Sequence, residues 1–167
     1  MKLKYTIIAA FMLFAFLGQA QKFGHINSGQ LLLEMPDVKQ ADEQLVSYQK
    51  TLESEFKTQG ESFQKEYEAF MTKVNSGEYP EVQLQKEQQV LAQKQQTLQQ
   101  IQQQSQQKIL QKREELYAPI LLKVEKAVEE VGKENSYTMI FDASMGSILF
   151  GQDSQDITSL VKTKLGM

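Results

Sequence analysis

Cysteine and tryptophan are absent from the chain, and histidine occurs once, at His25. Without cysteine, disulfides, thiol nucleophiles and thiolate metal sites are excluded, as is lipid attachment to a processed N-terminal cysteine. A single histidine without cysteine leaves zinc no ligand set. Lying beside Gly24 in a short strand pattern, His25 reads as a structural or surface residue. Gly24 and Gly29 bracket HINS but match no phosphate-binding spacing. Proline occurs at three positions, Pro36, Pro80 and Pro119, and so leaves room for long unbroken helices.

Long apolar runs are also scarce. The longest, Tyr5 to Leu17, spans thirteen residues, short for a bilayer crossing. It follows Lys2 and Lys4 and precedes Gly18 and Ala20, small residues at the minus-three and minus-one positions. This is the layout of a signal peptide, residues 1–20, cut after Ala20, rather than of a retained anchor. It makes the mature chain an exported one with no stable membrane span. That mature chain carries 16 basic against 21 acidic residues, a net charge of −5. Such a balance does not suit nucleic acid, whose binding depends on neutralising phosphates, and gives no attraction to anionic membranes.

What the sequence has in abundance is helix. From Asp37 to Val74 apolar residues recur at three- and four-residue steps (Val38, Ala41, Leu45, Tyr48, Leu52, Phe56, then Phe63, Tyr67, Phe70, Val74), one face of a helix. Asn75, Ser76, Gly77 and Pro80 then make a turn. Helix resumes at Glu81 and runs to about Glu134, with a sparser stripe of Leu84, Leu91, Leu98, Ile101, Ile109, Leu116, Ile120, Val124, Val128 and Val131. Between Glu81 and Gln111, fifteen of thirty-one residues are Gln. Gln is a good helix former and the leucine heptad is regular, which favours helix over low-complexity disorder.

The two arms, Asp37–Val74 and Glu81–Leu116, would each extend roughly 55 Å. Their stripes shift phase at similar heights, as one antiparallel pair requires. The seam is thin, with Gln59, Lys94 and Ser105 at or near seam positions, so the pair should hold together yet bend.

Short β patterns occur at the two ends of the mature chain. YTMIFDASMGSILFG reads as a β-hairpin, Tyr137–Asp142 and Ser147–Gly151, turned by ASMG with Gly146 free to take a positive φ. Lys22–Asn27 (KFGHIN) is a third strand that would join it in a small sheet. SGQLLLEM supplies a turn or two of helix and ITSLVKTKLG a closing helix, with Asp156 as its cap. The fold class is therefore α+β: a base of about three strands, formed by residues 21–36 and 117–167, and a helical-hairpin arm, residues 37–116, with its tip at 75–80. About fifty residues surround that base, too few for a secure core, so association through the sheet is expected.

No nucleophile, base or metal ligands cluster. FDASMG offers Asp142 beside Ser144, but no histidine completes a triad and the stretch reads better as a turn. The chain is not read as an enzyme, and no cofactor is implied. The aromatic residues of the outgoing arm and tip, Tyr48, Phe56, Phe63, Tyr67, Phe70 and Tyr79, are the candidate contact residues. Seam packing accounts for most of them, but a slim two-helix pair cannot hide them all, and the remainder would offer apolar surface to an unfolded chain.

In order and detail the sequence resembles the Skp/OmpH-like family of periplasmic chaperones. The resemblance is carried by FGHINSGQLLLEMPDV, KQADEQLVSYQKTLESEF, REELYAPILLKVEKAVEEVGKENSYTMIFDAS and ILFGQDSQDITSLV, across essentially the whole mature chain. It implies a homotrimer whose pooled sheets form a body, with Phe23, Ile26, Ile140, Phe141, Ile148 and Phe150 within it. Three arms would project around a cavity, lined or framed by arm residues between Tyr48 and Leu110, that holds unfolded outer-membrane or periplasmic proteins without nucleotide. Family members are basic in their arms. Here residues 37–116 sum to −3, so electrostatic steering of acidic clients and a lipopolysaccharide site are not carried over. A second reading, a non-catalytic coiled-coil envelope scaffold or spacer for one dedicated partner, would call for a continuous heptad seam; this one is interrupted and rich in aromatics.

Overall fold

A computed structural model describes residues 21–146, 148–150 and 152–167, with the backbone alone at Ser154. The proposed signal peptide lies outside the described residues. The elements are β1 (Phe23–Ile26), α1 (Ser28–Glu34), α2 (Pro36–Asn75), α3 (Glu81–Glu134), β2 (Met139–Asp142), a 3₁₀ turn (Asp153–Gln155) and α4 (Thr158–Leu165). They form two compact units, residues 36–121 and the remainder.

The first unit is a pair of antiparallel helices. Pro36 opens α2, where its missing N–H costs nothing, and Asp37 sits at the positive end of the helix dipole. The chain leaves α2 through Gly77, which takes φ 69° while its N–H and that of Glu78 bond back to Val74 and Lys73. α3 then begins with the N–H groups of Gln83 and Leu84 donating to the Pro80 carbonyl. The antiparallel register is fixed by two cross-links: the Tyr117 hydroxyl donates to Asp42, and Lys94 pairs with Glu66.

The second unit is built around a parallel strand pair. β1 and β2 align Phe23 with Met139, Gly24 with Ile140, His25 with Phe141 and Ile26 with Asp142. Two long helices separate them in sequence, which supplies the crossover that parallel strands need. Gly24 and Ile26 are buried on one face, and Ile26 joins Leu31, Met35, Val124, Ala127, Val131, Ile157 and Val161 in the core. α1 is capped by Asn27, whose side chain accepts from the Gln30 N–H at 3.0 Å. α4 closes on Gly166 in the left-handed region (φ 78°).

One expectation is corrected here. Among the described residues the sheet has two strands, not three, and no hairpin is formed. The ASMG turn is present, with Gly146 at φ 68° and its N–H on the Ala143 carbonyl. Beyond it residues 148–150 lie outside any strand, and Ser147 and Gly151 fall outside the described residues. The far edge of β1 is not open to a further strand. That edge is taken by the chain at Asp156, which bridges to His25, while the Ile157 N–H donates to the His25 carbonyl at 2.9 Å. Asp142, meanwhile, is tied to Ser28 and turns the chain off the end of β2. Beyond that turn Leu149 and Phe150 stay largely exposed.

Candidate functional site

In the helical pair, buried seam residues are few. α2 contributes Val38, Ala41, Leu52 and Phe70, and the facing length of α3 contributes Leu91 and Ile120. Between Leu52 and Phe70 no α2 residue is buried, and none is buried on α3 between Leu91 and Ile120. That stretch carries two grooves. One, of about 350 Å³, is lined by Leu52, Thr58, Gln59, Ile101, Ser105 and Lys108. The other, of about 240 Å³, lies beside Phe63, Glu66, Lys94, Leu98 and Ile101. Ser105 sits half-buried where a Leu would fill the seam, and its hydroxyl bonds back to the Ile101 carbonyl at 2.8 Å.

The six arm and tip aromatics divide into three groups. Phe70 is buried and tilts against Tyr79, with ring centroids 5.8 Å apart, and Lys73 lies over the Tyr79 ring. This cluster is packing, and it stiffens the tip. Tyr48 and Phe63 are half-buried. Phe56 and Tyr67 are exposed to 37% and 47%, and Tyr67 stacks on Phe63 at 6.3 Å. Val82 and Leu110 on α3 add exposed apolar surface. The hydrogen bond from Lys94 holds the Glu66 carboxyl below its ordinary pKa, and the hydrogen bond to Asp42 raises the Tyr117 phenol.

The strand unit has an apolar outer face of its own. Phe23 and Phe141 project from it with centroids 6.2 Å apart, and Met139 lies on the same exposed side of β2. With His25, Ile148, Leu149 and Phe150 the two Phe rings line a groove of about 490 Å³. Leu149 is 98% and Phe150 86% exposed, the reverse of what a protomer does with such side chains when it can bury them. Of the six residues assigned to the body, Ile26 lies in the protomer's own core. Ile140 is half-buried against Gly132, and Ile148 is half-buried in the groove.

The polar residues singled out in the sequence hold structure. The Asp142 carboxylate receives the Ser28 N–H, the Ser28 hydroxyl and the Ser144 N–H. Burial, the largest single influence, raises its pKa, but these hydrogen bonds together outweigh it and leave the group more acidic than usual. Asp156 is likewise lowered, its burial outweighed by Thr158, whose N–H donates at 2.8 Å at the start of α4. The part of Ser28 and Lys22 was not read from the sequence. Asn27-Ser28 directly after a strand is nevertheless a helix-start signal, and a carboxylate closing a second strand is its natural partner. Among the described residues no group of three or more His, Asp or Glu side chains is placed to hold a metal, and no helix is long and apolar enough to cross a membrane.

Comparison with known proteins gives a consistent result. A family model described as Outer membrane protein (OmpH-like) matches residues 22–165. Comparison with the curated proteins gives no match. Among solved structures, one from Caulobacter crescentus CB15, described as an OmpH-like outer membrane chaperone, superposes with a TM-score of 0.76 over 87% of this chain and 84% of that one. At 14% identity that likeness concerns the fold alone. The family match spans both the helical pair and the strand unit, and the chain belongs to the OmpH/Skp-like family of periplasmic, non-catalytic chaperones.

Proposed function

We propose that the mature chain is an ATP-independent holdase, which binds unfolded outer-membrane proteins in the periplasm and keeps them from aggregating until insertion. The observation that carries this reading is the distribution of apolar side chains on the helical pair. Phe56, Tyr67, Val82 and Leu110 stay exposed on the helical pair, and the seam between its helices leaves room unfilled. An exposed apolar surface rimmed by polar residues marks an interaction site. Distributed, shallow and lined with adaptable Gln side chains, this one suits many weak contacts with an unfolded chain rather than one rigid partner.

The strand unit supplies association in this reading. Three copies would bury the face of Phe23, Met139, Phe141, Leu149 and Phe150 against one another and set three arms around a shared cavity. Client and cavity wall would then exchange apolar contacts at about 25 cal/mol per Å² buried, and release would need no nucleotide.

The test uses light scattering after an unfolded β-barrel protein is diluted from urea. Residues 21–167 should suppress aggregation near one trimer per client. A chain lacking residues 50–108, bridged by a short Gly-containing turn, should still associate but give no protection. Equal protection by both would refute holding by the arms and favour the scaffold reading.

A further inference from the structure

Cleavage after Ala20 determines the chemistry of the residue that follows it. We propose that Gln21 is a modification site: its newly freed α-amine closes onto its own side-chain amide to give an N-terminal pyroglutamate. The proposal rests on the reading of residues 1–20 as an exported leader removed after Ala20. The step balances within the residue. The lone pair of the neutral α-amine attacks Cδ, a C–N bond forms, and the Cδ–Nε2 bond breaks. The side-chain nitrogen leaves as ammonia, carrying the proton lost by the amine. A five-membered lactam remains, and no oxidant, reductant or cofactor enters. An α-amino group titrates near pH 8, so roughly a tenth of it is in the attacking form at neutral pH.

The structure leaves this residue free to react. Gln21 is exposed, precedes β1, and among the described residues has no hydrogen-bond partner holding its side chain. Lys22, the next residue, is held three ways. Its carbonyl accepts the Thr138 N–H at 2.7 Å, its ammonium donates to the Asn135 carbonyl at 3.0 Å, and that ammonium lies 4.1 Å from the centroid of the Tyr137 ring. Ring closure at Gln21 therefore costs the fold no contact. It also removes a positive charge one residue from the Lys22 ammonium. A lactam presents no free amine to an aminopeptidase, so trimming stops before it reaches Lys22, whose loss would unfasten the start of β1 from Asn135, Tyr137 and Thr138.

The full precursor is expressed with export, and the freshly exported protein is cleaved after glutamate and read by mass spectrometry. The terminal peptide, residues 21–34, should be lighter than its unmodified mass by one ammonia and carry no labelable α-amine. The intact protein should resist a general aminopeptidase until a pyroglutamyl peptidase is added. Gln21→Ser, which cannot form the ring, should show its full mass and be trimmed at once. A peptide that starts at Gln21 with full mass and a free amine overturns the modification and leaves the leader reading standing. Ring closure found only in stored samples overturns it as well. A chain that begins elsewhere overturns the leader reading, and the proposal with it.

Discussion

Ser28 and Asp142, 114 residues apart, are bonded twice: the Ser28 N–H donates to one carboxylate oxygen at 3.2 Å and the Ser28 hydroxyl to the other. With the Ser144 N–H at 2.9 Å on the same group, one carboxylate ties the end of β2 to the first turn of α1. It also turns the chain away from the sheet. Apolar burial in this unit is shared among few residues, so a polar clasp between the beginning and end of the mature sequence carries weight.

The clasp should be acid-sensitive. Asp142 is more acidic folded than unfolded. A group depressed in this way stabilises the fold fully above its unfolded pKa of about 4, and the contribution is lost as pH falls through the lower folded value. Asp142→Asn should lower stability at neutral pH by about 1 kcal/mol, the usual worth of such a capping acceptor. The difference from the parent chain should shrink as pH falls below about 4. Urea denaturation at the two pH values, at one protein concentration, measures this. Equal midpoints at neutral pH would show that the clasp adds nothing.

Gly24 offers a sharper steric test. A Cβ there would meet Tyr137 Cε1 at 2.9 Å and Ile157 Cγ2 at 3.0 Å. Ile157 is fully buried and Tyr137 is held under Lys22, so neither gives way cheaply. Gly24→Ala should cost about 1–3 kcal/mol by overpacking, seen as a lowered melting temperature. The same change at Gly60, where a Cβ meets nothing, should be neutral or slightly stabilising, since Ala is the better helix former.

The long elements were legible because their signals are periodic and local. The stripe from Val38 to Phe70 and the Asn75–Pro80 breakers give α2 and its turn to within a residue or two. The strand count was not legible. MIFD and ILFG are equally apolar. What separates them is the tie of Asp142 to Ser28, which turns the chain off the end of β2, with the far edge of β1 taken at Asp156. Such a contact between distant segments leaves no periodic trace. The same holds for the aromatics. The spacing put Phe56, Phe63, Tyr67 and Phe70 on one face, but whether a ring faces the partner helix or solvent depends on local seam width. The seam closes at Phe70 and stays open near Phe56.

The exposed face of the strand unit should drive association. Leu149 and Phe150 contribute almost nothing to the protomer core, so Leu149→Ser with Phe150→Ser should leave its secondary structure unchanged. Losing two large apolar side chains from an interface should weaken it by about 3 kcal/mol or more, upward of about a hundredfold in the association constant. Sedimentation equilibrium of residues 21–167 should give a trimer that dissociates in the double variant. A strictly monomeric parent chain would remove the shared cavity altogether.

The division among the arm aromatics separates holding from packing. Phe70 is buried against Tyr79, so Phe70→Ser opens a cavity and should cost about 3–5 kcal/mol, with helicity lost at the tip in circular dichroism. Phe56 and Tyr67 are far more exposed than Phe70, and changing both to Ser should leave helicity and association nearly intact. If the arm surface holds clients, this second pair should still lose much of its protection against aggregation, because apolar area is removed where a client would lie. Measured together, helicity and light scattering give opposite signatures: a structural loss for Phe70, and a functional loss without structural change for Phe56 and Tyr67. A Phe56→Ser, Tyr67→Ser chain that protects a client as well as its parent would mean that the exposed rings are incidental, and that holding, if present, uses some other surface.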